Sequence, residues 1–173
     1  MSDCPRVALK LSSEEDWCWG WLKLFSTCRI GSRMVIKPSW EAYTPRMGDI
    51  LIEMDPGMAF GTGTHPTTRM CLEVIEDLFR RSSPLPDSML DVGTGSGILS
   101  IAAAKLGIKN IVGIDIDPVA LSCAGKNAVI NGVTHRVQVR DCPLERIGEC
   151  FDLIAANILS EILLKLRKDL LKR

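Results

Sequence analysis

The fold is decided by the stretch from Asp91 to Gly97, which has the sequence DVGTGSG. The apolar run 89–92 predicts a buried strand, and an Ala- and Leu-rich helix is predicted from Gly97 to Leu106, closed by Gly107. Glycine at every second position lets the backbone approach a ligand without a Cβ in the way. We also expect the glycine-lined amides and the first helical amides to point into that same space.

Strands and helices alternate from this turn to the end of the sequence. Strands are predicted at 110–115, 136–140 and 151–156, and helices at 118–131 and 158–171. Strand–helix–strand units of this kind build a parallel sheet with helices on its faces. The sequence therefore predicts an α/β fold: a Rossmann-like, doubly wound parallel sheet with about four core strands, the fourth of which is left as an open edge.

Acidic side chains follow the ends of the predicted strands, where open α/β sheets bind their ligands. Asp115 lies 22 residues after Gly93. A carboxylate there can accept hydrogen bonds from both hydroxyls of an adenosine ribose, each contributing roughly 1.5–3 kcal/mol. Asp117 is expected to cap the helix that begins at Pro118. Asp141 is placed either to meet the adenine amino group or to lie in solvent.

Asn157 follows the fourth predicted strand at the same edge of the sheet. Its amide can accept from and donate to a polar nucleophile, or it can cap the helix predicted to start at Ile158. The glycine spacing is G-x-G-x-G, whereas dinucleotide enzymes have G-x-G-x-x-G, and no G-K-[ST] follows. This spacing argues against a nicotinamide oxidoreductase and against a phosphate-binding P-loop.

The composition narrows the class of protein. Lys and Arg number 21 against 21 Asp and Glu, which argues against a general nucleic-acid binder. No apolar run approaches the roughly 20 residues that span a bilayer. Seven cysteines without a C-x-x-C pair, and two histidines, predict reduced thiols in a cytoplasmic protein and no metal site.

The first 55 residues differ in composition from the rest, because they include all four tryptophans. A hairpin is predicted at 29–36 and a strand at 50–53, whereas 14–25 fits either a short helix or a strand. A turn-rich segment and an amphipathic helix ending near Arg81 follow. We expect three parts: a linker or β-rich appendage at 1–55, a Thr/Gly-rich loop with the helix at 56–87, and a partial core at 88–173.

Two motifs carry a family resemblance. The turn DVGTGSG with Asp115 resembles the cofactor site of class I S-adenosylmethionine-dependent methyltransferases. The loop 55–68, DPGMAFGTGTHPTT, closely resembles the segment before the core in PrmA-type methyltransferases, which modify protein eleven of the large ribosomal subunit. The tetrapeptide 156–159, ANIL, matches that family too, and the resemblance extends over 17–166.

The resemblance implies S-adenosyl-L-methionine as cofactor and methyl transfer to lysine or α-amino groups of a large-subunit ribosomal protein. It implies that the cofactor is contacted by Thr68, Gly93, Asp115 and Asn157, and that the methyl-transfer site is walled by Phe60, Thr64 and His65. Together with Gly95, Gly97 and Asp141, these are the candidate site residues, of which the candidate catalytic ones are Asn157, His65 and Thr64. His65 either accepts the amine proton or serves as a turn residue fixed by Pro66.

Members of that family carry a separate N-terminal domain and a seven-stranded sheet, so we expect this chain to be truncated at both ends. Two alternatives stay open: a cofactor-binding module without turnover, and a methyltransferase of small molecules. Neither a nucleic acid nor a membrane is an expected partner.

Overall fold

The computed structural model describes residues 25–55, 63 and 65–173. The predictions for 14–24, Phe60 and Thr64 lie outside these residues. In chain order the described elements are β1 (Cys28–Ile30), β2 (Met34–Pro38), β3 (Ile50–Met54), α1 (Pro66–Arg81), β4 (Ser88–Val92), α2 (Ile98–Leu106), β5 (Asn110–Asp115), α3 (Pro118–Ile130), β6 (Val137–Asp141), a 3-10 helix (Leu144–Arg146), β7 (Leu153–Ala156) and α4 (Ser160–Leu170).

Four of these strands form one parallel sheet in the order β6-β5-β4-β7. From β4 the chain runs outward through β5 and β6, and then returns to the other side of β4 to form β7. Such a reversal is the topological switch point at which open α/β sheets bind ligands. The predicted Rossmann-like parallel sheet is confirmed, with four strands in the described part of the chain.

Side chains of the large sheet alternate between two covered faces. Met89 and Ile111 lie in one apolar core with residues of α2 and α3. Leu90 and Ile114 point the other way, into a second cluster that includes Leu166 of α4. Helices therefore cover both faces, which parallel strands require because both of their faces are apolar.

The second sheet is small and joins the first core. β1 and β2 form the predicted hairpin, and β3 pairs with β2 in parallel. Ile36 and Ile52 are fully buried and share a cluster with Leu72 of α1 and Ile101 of α2. The small sheet thus packs into the same core as one face of the large sheet.

The last helix begins later than the sequence predicted. α4 starts at Ser160, and Leu159 occupies the N-cap position without a side-chain hydrogen bond. Ile158 packs instead against the second apolar cluster, with Leu90 and Ile114 among its members. The predicted start at Ile158 is therefore wrong by two residues, and the half-buried Ile158 lies in the connection between β7 and α4.

A carboxylate fastens α1 to the small sheet. Glu76 accepts hydrogen bonds from the amides of Ser32 and Arg33, at 2.7 and 2.8 Å, and from the Ser32 hydroxyl at 3.1 Å. Gly31 has a φ of +62°, and a Cβ built there would overlap the Glu76 carboxylate. The β1–β2 turn is therefore an anion-binding concavity filled by a side chain of α1.

None of the helices in the described ranges is long and apolar enough to cross a membrane. The longest of those described is α1, with 16 residues.

We expect Glu76→Ala to lower the free energy of unfolding by about 2 kcal/mol, because two backbone amides lose a charged acceptor. Urea denaturation measures this loss. The control is Glu73→Ala on the same helix, whose exposed carboxylate pairs with Arg69 and which we expect to cost at most about 0.5 kcal/mol. Equal losses in the two variants would contradict the fastening role of Glu76.

Asp49 organises a polar cluster on the small sheet. Its carboxylate accepts hydrogen bonds from the Tyr43 hydroxyl at 2.7 Å, the Arg46 amide at 2.9 Å and the Arg29 guanidinium at 2.7 Å. These donors, Tyr43 foremost, lower the pKa of Asp49 to about 2. Because this pKa lies below the value of about 3.9 in an unfolded chain, Asp49 stabilises the fold fully only above pH 4 or so.

The stability that Asp49 contributes should therefore disappear as the pH falls from about 4 towards 2. We expect Asp49→Asn to be less stable than the wild type at pH 7, and the difference to shrink steadily over that acidic interval. Urea midpoints measured at a series of pH values test this. A difference that stayed constant from pH 7 to pH 2 would show that the charge of Asp49 does not contribute.

Candidate active site

The turn after β4 has a backbone conformation that glycine adopts freely. φ is +71° at Gly93, +56° at Gly95 and +81° at Gly97, in a region that costs other residues about 1–2 kcal/mol. Two of these glycines are also needed for space. A Cβ at Gly93 would overlap Ile158, and one at Gly97 would lie 3.1 Å from both Cα and Cβ of Ala124 on α3.

The amides of the three glycines are engaged within the chain. Gly93 and Thr94 both donate to the carbonyl oxygen of Ile114, at 2.9 and 3.0 Å, and Gly97 donates to that of Thr94 at 2.9 Å. Gly95 donates to a carboxylate of β5. The expected cradle of glycine amides is therefore wrong, because Ile114 and Asp115 of β5 and Thr94 of the turn already accept from them. What the glycines contribute is backbone at positive φ and the close approach of Ile158 to Gly93 and of Ala124 to Gly97.

Asp91 is a site residue that the sequence analysis missed. Its carboxylate is buried at the end of β4 and accepts hydrogen bonds from the hydroxyls of Thr94, at 2.8 Å, and Ser100, at 2.7 Å. Burial raises the pKa of Asp91, and these two hydroxyl donors oppose the rise. Asp91 thereby joins the turn to the first residues of α2. A Cβ on Gly113 would lie 2.9 Å from the Thr94 hydroxyl, so β5 leaves room for this network.

Asp115 ends β5 beside the turn, as predicted. One carboxylate oxygen accepts a hydrogen bond from the Gly95 amide at 3.0 Å. The other oxygen accepts from the amides of Ile116, at 2.8 Å, and Asp117, at 3.1 Å. The carboxylate is therefore held in place by three backbone donors, one of which belongs to the glycine turn.

The two other acidic residues, Asp117 and Asp141, lie at the helix start and the strand end where the sequence predicted them. Asp117 accepts a hydrogen bond from the Val119 amide at 2.8 Å and caps α3, so its predicted role is confirmed. Asp141 lies opposite Asp115 in the β5–β6 register and is exposed. Its carboxylate accepts no hydrogen bond from the described residues, and its place beside an adenine stays a prediction.

Asn157 and Thr68 meet although 89 residues separate them in sequence. The Asn157 side-chain nitrogen donates to the Thr68 hydroxyl at 3.1 Å, and Thr68 is 1% exposed. Because α4 begins at Ser160, the alternative of Asn157 as a helix cap is wrong. The Thr/Gly-rich segment and the end of β7 are therefore in direct contact at the switch point.

His65 is the N-cap residue of α1. Its Nδ1 accepts a hydrogen bond from the Thr67 amide at 3.3 Å and lies 2.8 Å from the Thr67 hydroxyl. Pro66 follows in the first helical turn, where its missing amide costs nothing. This is the turn position that the sequence offered as one of two alternatives for His65.

We expect Gly93→Ala to destabilise the chain more than Gly132→Ala. Gly132 has a φ of +67° and nothing within 4 Å of a built Cβ, so it should cost only the about 1–2 kcal/mol of its conformation. Gly93→Ala adds the overlap with Ile158, for a total of about 3 kcal/mol or more. Urea denaturation compares the two.

The added change Ile158→Leu moves the branch point away from the turn, and it should restore part of the stability lost in Gly93→Ala. Equal losses for the two single variants, with no restoration, would show that contact with Ile158 does not require glycine at residue 93.

Comparison with known proteins places this geometry in a family. The family described as "Ribosomal protein L11 methyltransferase (PrmA)" matches residues 2–173. The chain is 52% identical over 166 residues to the ribosomal protein L11 methyltransferase of Geobacter sulfurreducens, covering 96% of this chain and 53% of the relative. The chain therefore spans about half the length of the curated relatives it matches.

Solved methyltransferase structures superpose on this fold. The ribosomal protein L11 methylase of Lactobacillus delbrueckii subsp. bulgaricus superposes with a TM-score of 0.76 at 39% identity, covering 86% of this chain and 74% of that one. An RNA methyltransferase from Salinibacter ruber, solved in complex with S-adenosyl-L-homocysteine, gives 0.52 at 28% identity, covering 60% of this chain and 67% of that one. With a family match over residues 2–173, this chain belongs to the ribosomal protein L11 methyltransferase (PrmA) family.

Proposed function

We propose that the chain carries the cofactor-binding core of an S-adenosyl-L-methionine-dependent protein N-methyltransferase. The proposed acceptors are lysine or α-amino groups of a large-subunit ribosomal protein. The observation that carries the proposal is the meeting of four candidate residues in two hydrogen-bonded pairs, Gly95 with Asp115 and Thr68 with Asn157, at one edge of the sheet. The names of the relatives support the acceptor, and the S-adenosyl-L-homocysteine in the Salinibacter structure supports the cofactor.

The residues present fit such a cofactor. The Asp115 carboxylate ends β5 beside the glycine turn, at the edge of the sheet where open α/β sheets bind their ligands. A carboxylate offers about four acceptor positions, of which backbone amides use three here. We propose that one ribose hydroxyl takes the remaining position, and that a second replaces the 3.1 Å bond from the Asp117 amide.

Two further assignments belong to the same proposal. Asp141, level with Asp115 on the neighbouring strand, would accept from the adenine amino group. Phe60 and Thr64 would wall the methyl-transfer site, as the family resemblance implies.

When bound, the cofactor supplies an electrophilic methyl group on a sulfonium, and the chain must present an uncharged amine in line with it. At pH 7 a free lysine is neutral in roughly one molecule in two thousand, and an α-amine in about one in ten. A cationic neighbour in a partly desolvated site lowers the pKa of the incoming amine. Alignment of this kind supplies roughly 7–11 kcal/mol of barrier reduction in well-oriented systems.

Asn157 is suited to orient the amine. Because its side-chain nitrogen donates to Thr68, its Oδ1 is the atom left to accept from an amine N–H. Thr68 is buried, so solvent does not compete for this hydrogen bond from the Thr68 side.

We assign the amine proton to water. His65 is instead engaged as the N-cap of α1, where its Nδ1 accepts from the Thr67 amide.

We also propose a cytoplasmic location. Large-subunit ribosomal proteins are made there, and seven cysteines without a C-x-x-C pair fit a protein whose thiols are reduced.

Calorimetry with S-adenosylhomocysteine, followed by transfer of a labelled methyl group to purified large-subunit ribosomal proteins, tests the proposal. Binding together with label on a ribosomal protein is the expected result. Binding without transfer to any protein or small-molecule amine would indicate a module without turnover. No heat with a folded sample would overturn the cofactor assignment, and a titration with NADH then tests the oxidoreductase alternative.

We expect Asp115→Ala to weaken S-adenosylhomocysteine binding at least about tenfold, because the ribose loses a charged acceptor and the Gly95 amide loses its partner. Calorimetry measures the affinity. The control is Asp117→Ala, which removes a helix cap worth about 1 kcal/mol and should leave the affinity within about twofold. Equal affinity in Asp115→Ala and the wild type would remove the ribose assignment.

A further inference from the structure

Asn127 of α3 and Asn131, the residue that directly follows this helix, bind the outer edge of β3 and its continuation at Asp55. The side-chain amide of Asn131 accepts from the Glu53 amide at 3.0 Å and donates to the Glu53 carbonyl at 2.6 Å. Asn127 does the same with Asp55, at 3.0 and 3.3 Å. Each side chain thus pairs with both polar groups of one backbone residue, as a neighbouring strand would.

The arrangement follows from two repeats that nearly coincide. Residues four apart on a helix are separated by about 6 Å along the axis, and residues two apart on a strand by about 6.6 Å. Alternate strand residues direct their N–H and C=O groups to the same edge. Asparagines at 127 and 131 therefore match the backbone at 55 and 53, and they close an edge that would otherwise be open for pairing.

Asn127 and Asn131 differ in their third hydrogen bond, which Asn131 donates to the Asn127 carbonyl. The side-chain nitrogen of Asn127 donates instead to the carbonyl of Ser96, at 2.9 Å, inside the glycine turn. Asn127 is fully buried, and its two N–H groups face the carbonyls of Ser96 and Asp55, with the Cys123 sulfur more distant at 3.5 Å. The Asn127 side chain therefore holds both the turn after β4 and Asp55, the residue at which the Thr/Gly-rich loop begins.

Gly63, within the same Thr/Gly-rich loop, also lies close to the glycine turn. Gly63 is buried with a φ of +86°, and a Cβ there would lie 3.2 Å from Ile98 on α2 and 3.5 Å from Ile36 on β2. Ile98 directly follows the glycine turn. The chain therefore lies close to the turn at both Asp55 and Gly63, and at Asp55 it is held by a side chain that also binds the turn.

We infer that Asn127 is a positioning residue, which couples the Thr/Gly-rich segment at Asp55 to the glycine turn at Ser96 and so sets the affinity of the turn for the cofactor. The inference rests on the proposed function, because the coupling is measured through cofactor binding. A residue with fewer than two N–H donors cannot hold both carbonyls. Asn131, which lacks the contact with Ser96, should stabilise the edge of β3 without affecting the turn.

The test compares Asn127→Asp with Asn131→Asp in the 173-residue chain. Both changes keep the shape of the side chain and remove its N–H donors. Calorimetry should show S-adenosylhomocysteine binding at least about tenfold weaker in Asn127→Asp and within about twofold of the wild type in Asn131→Asp, although both variants lose stability in urea. Near-ultraviolet circular dichroism verifies that the samples are folded.

Hydrogen exchange of the wild type gives a second measurement that does not depend on a variant. Saturation with S-adenosylhomocysteine should slow exchange of the Asp55 amide, which Asn127 holds, at least about fivefold. The Glu53 amide, which Asn131 holds, should change less than about twofold.

Equal affinity in Asn127→Asp and a binding-competent wild type would overturn the positioning role alone, and so would unchanged exchange at Asp55. A folded wild type that binds no S-adenosylhomocysteine would overturn the proposed function, and this inference with it.

Discussion

The parallel pairing of β4 with β5 on one side and β7 on the other is the constraint on which the site depends. Its register sets Val92 opposite both Ile114 and Ala156, so that the three strands end at one level. The residues that follow them therefore share one edge of the sheet. This is why the Gly95 amide reaches the Asp115 carboxylate, and why Ile158 can lie against the Cα of Gly93.

The glycine turn is held in place by interactions within the chain. Its amides bind the Ile114 carbonyl and Asp115, and the hydroxyls of Thr94 and Ser100 converge on the buried carboxylate of Asp91. A turn that is ordered in advance loses less entropy when it binds a partner. The same interactions give the two carboxylates different places: Asp91 is buried beneath the turn, and the half-buried Asp115 lies beside it.

The small sheet is joined to the rest by three kinds of interaction. It shares an apolar core with α1 and α2, and its hairpin turn binds the Glu76 carboxylate. Its outer edge is paired with Asn127 of α3 and with Asn131, which follows that helix. These contacts bring Asp55 next to the glycine turn through Asn127 and bring Thr68 next to Asn157. A segment that precedes the core in sequence is in this way built into the site.

By itself the sequence determined the kinds of element, their order and the edge at which the site lies. Those features follow from local patterns: apolar periodicity in the strands and helices, glycines at positive φ, and a cap such as Asp117 two residues before its partner. Only the tertiary structure decided that the Gly95 amide meets Asp115, where α4 begins, that β3 pairs with β2 in parallel, and that Asn127 holds Asp55. Each of these depends on groups that are far apart in the chain, by 72 residues in the last case. Such groups come into contact only when the whole core packs.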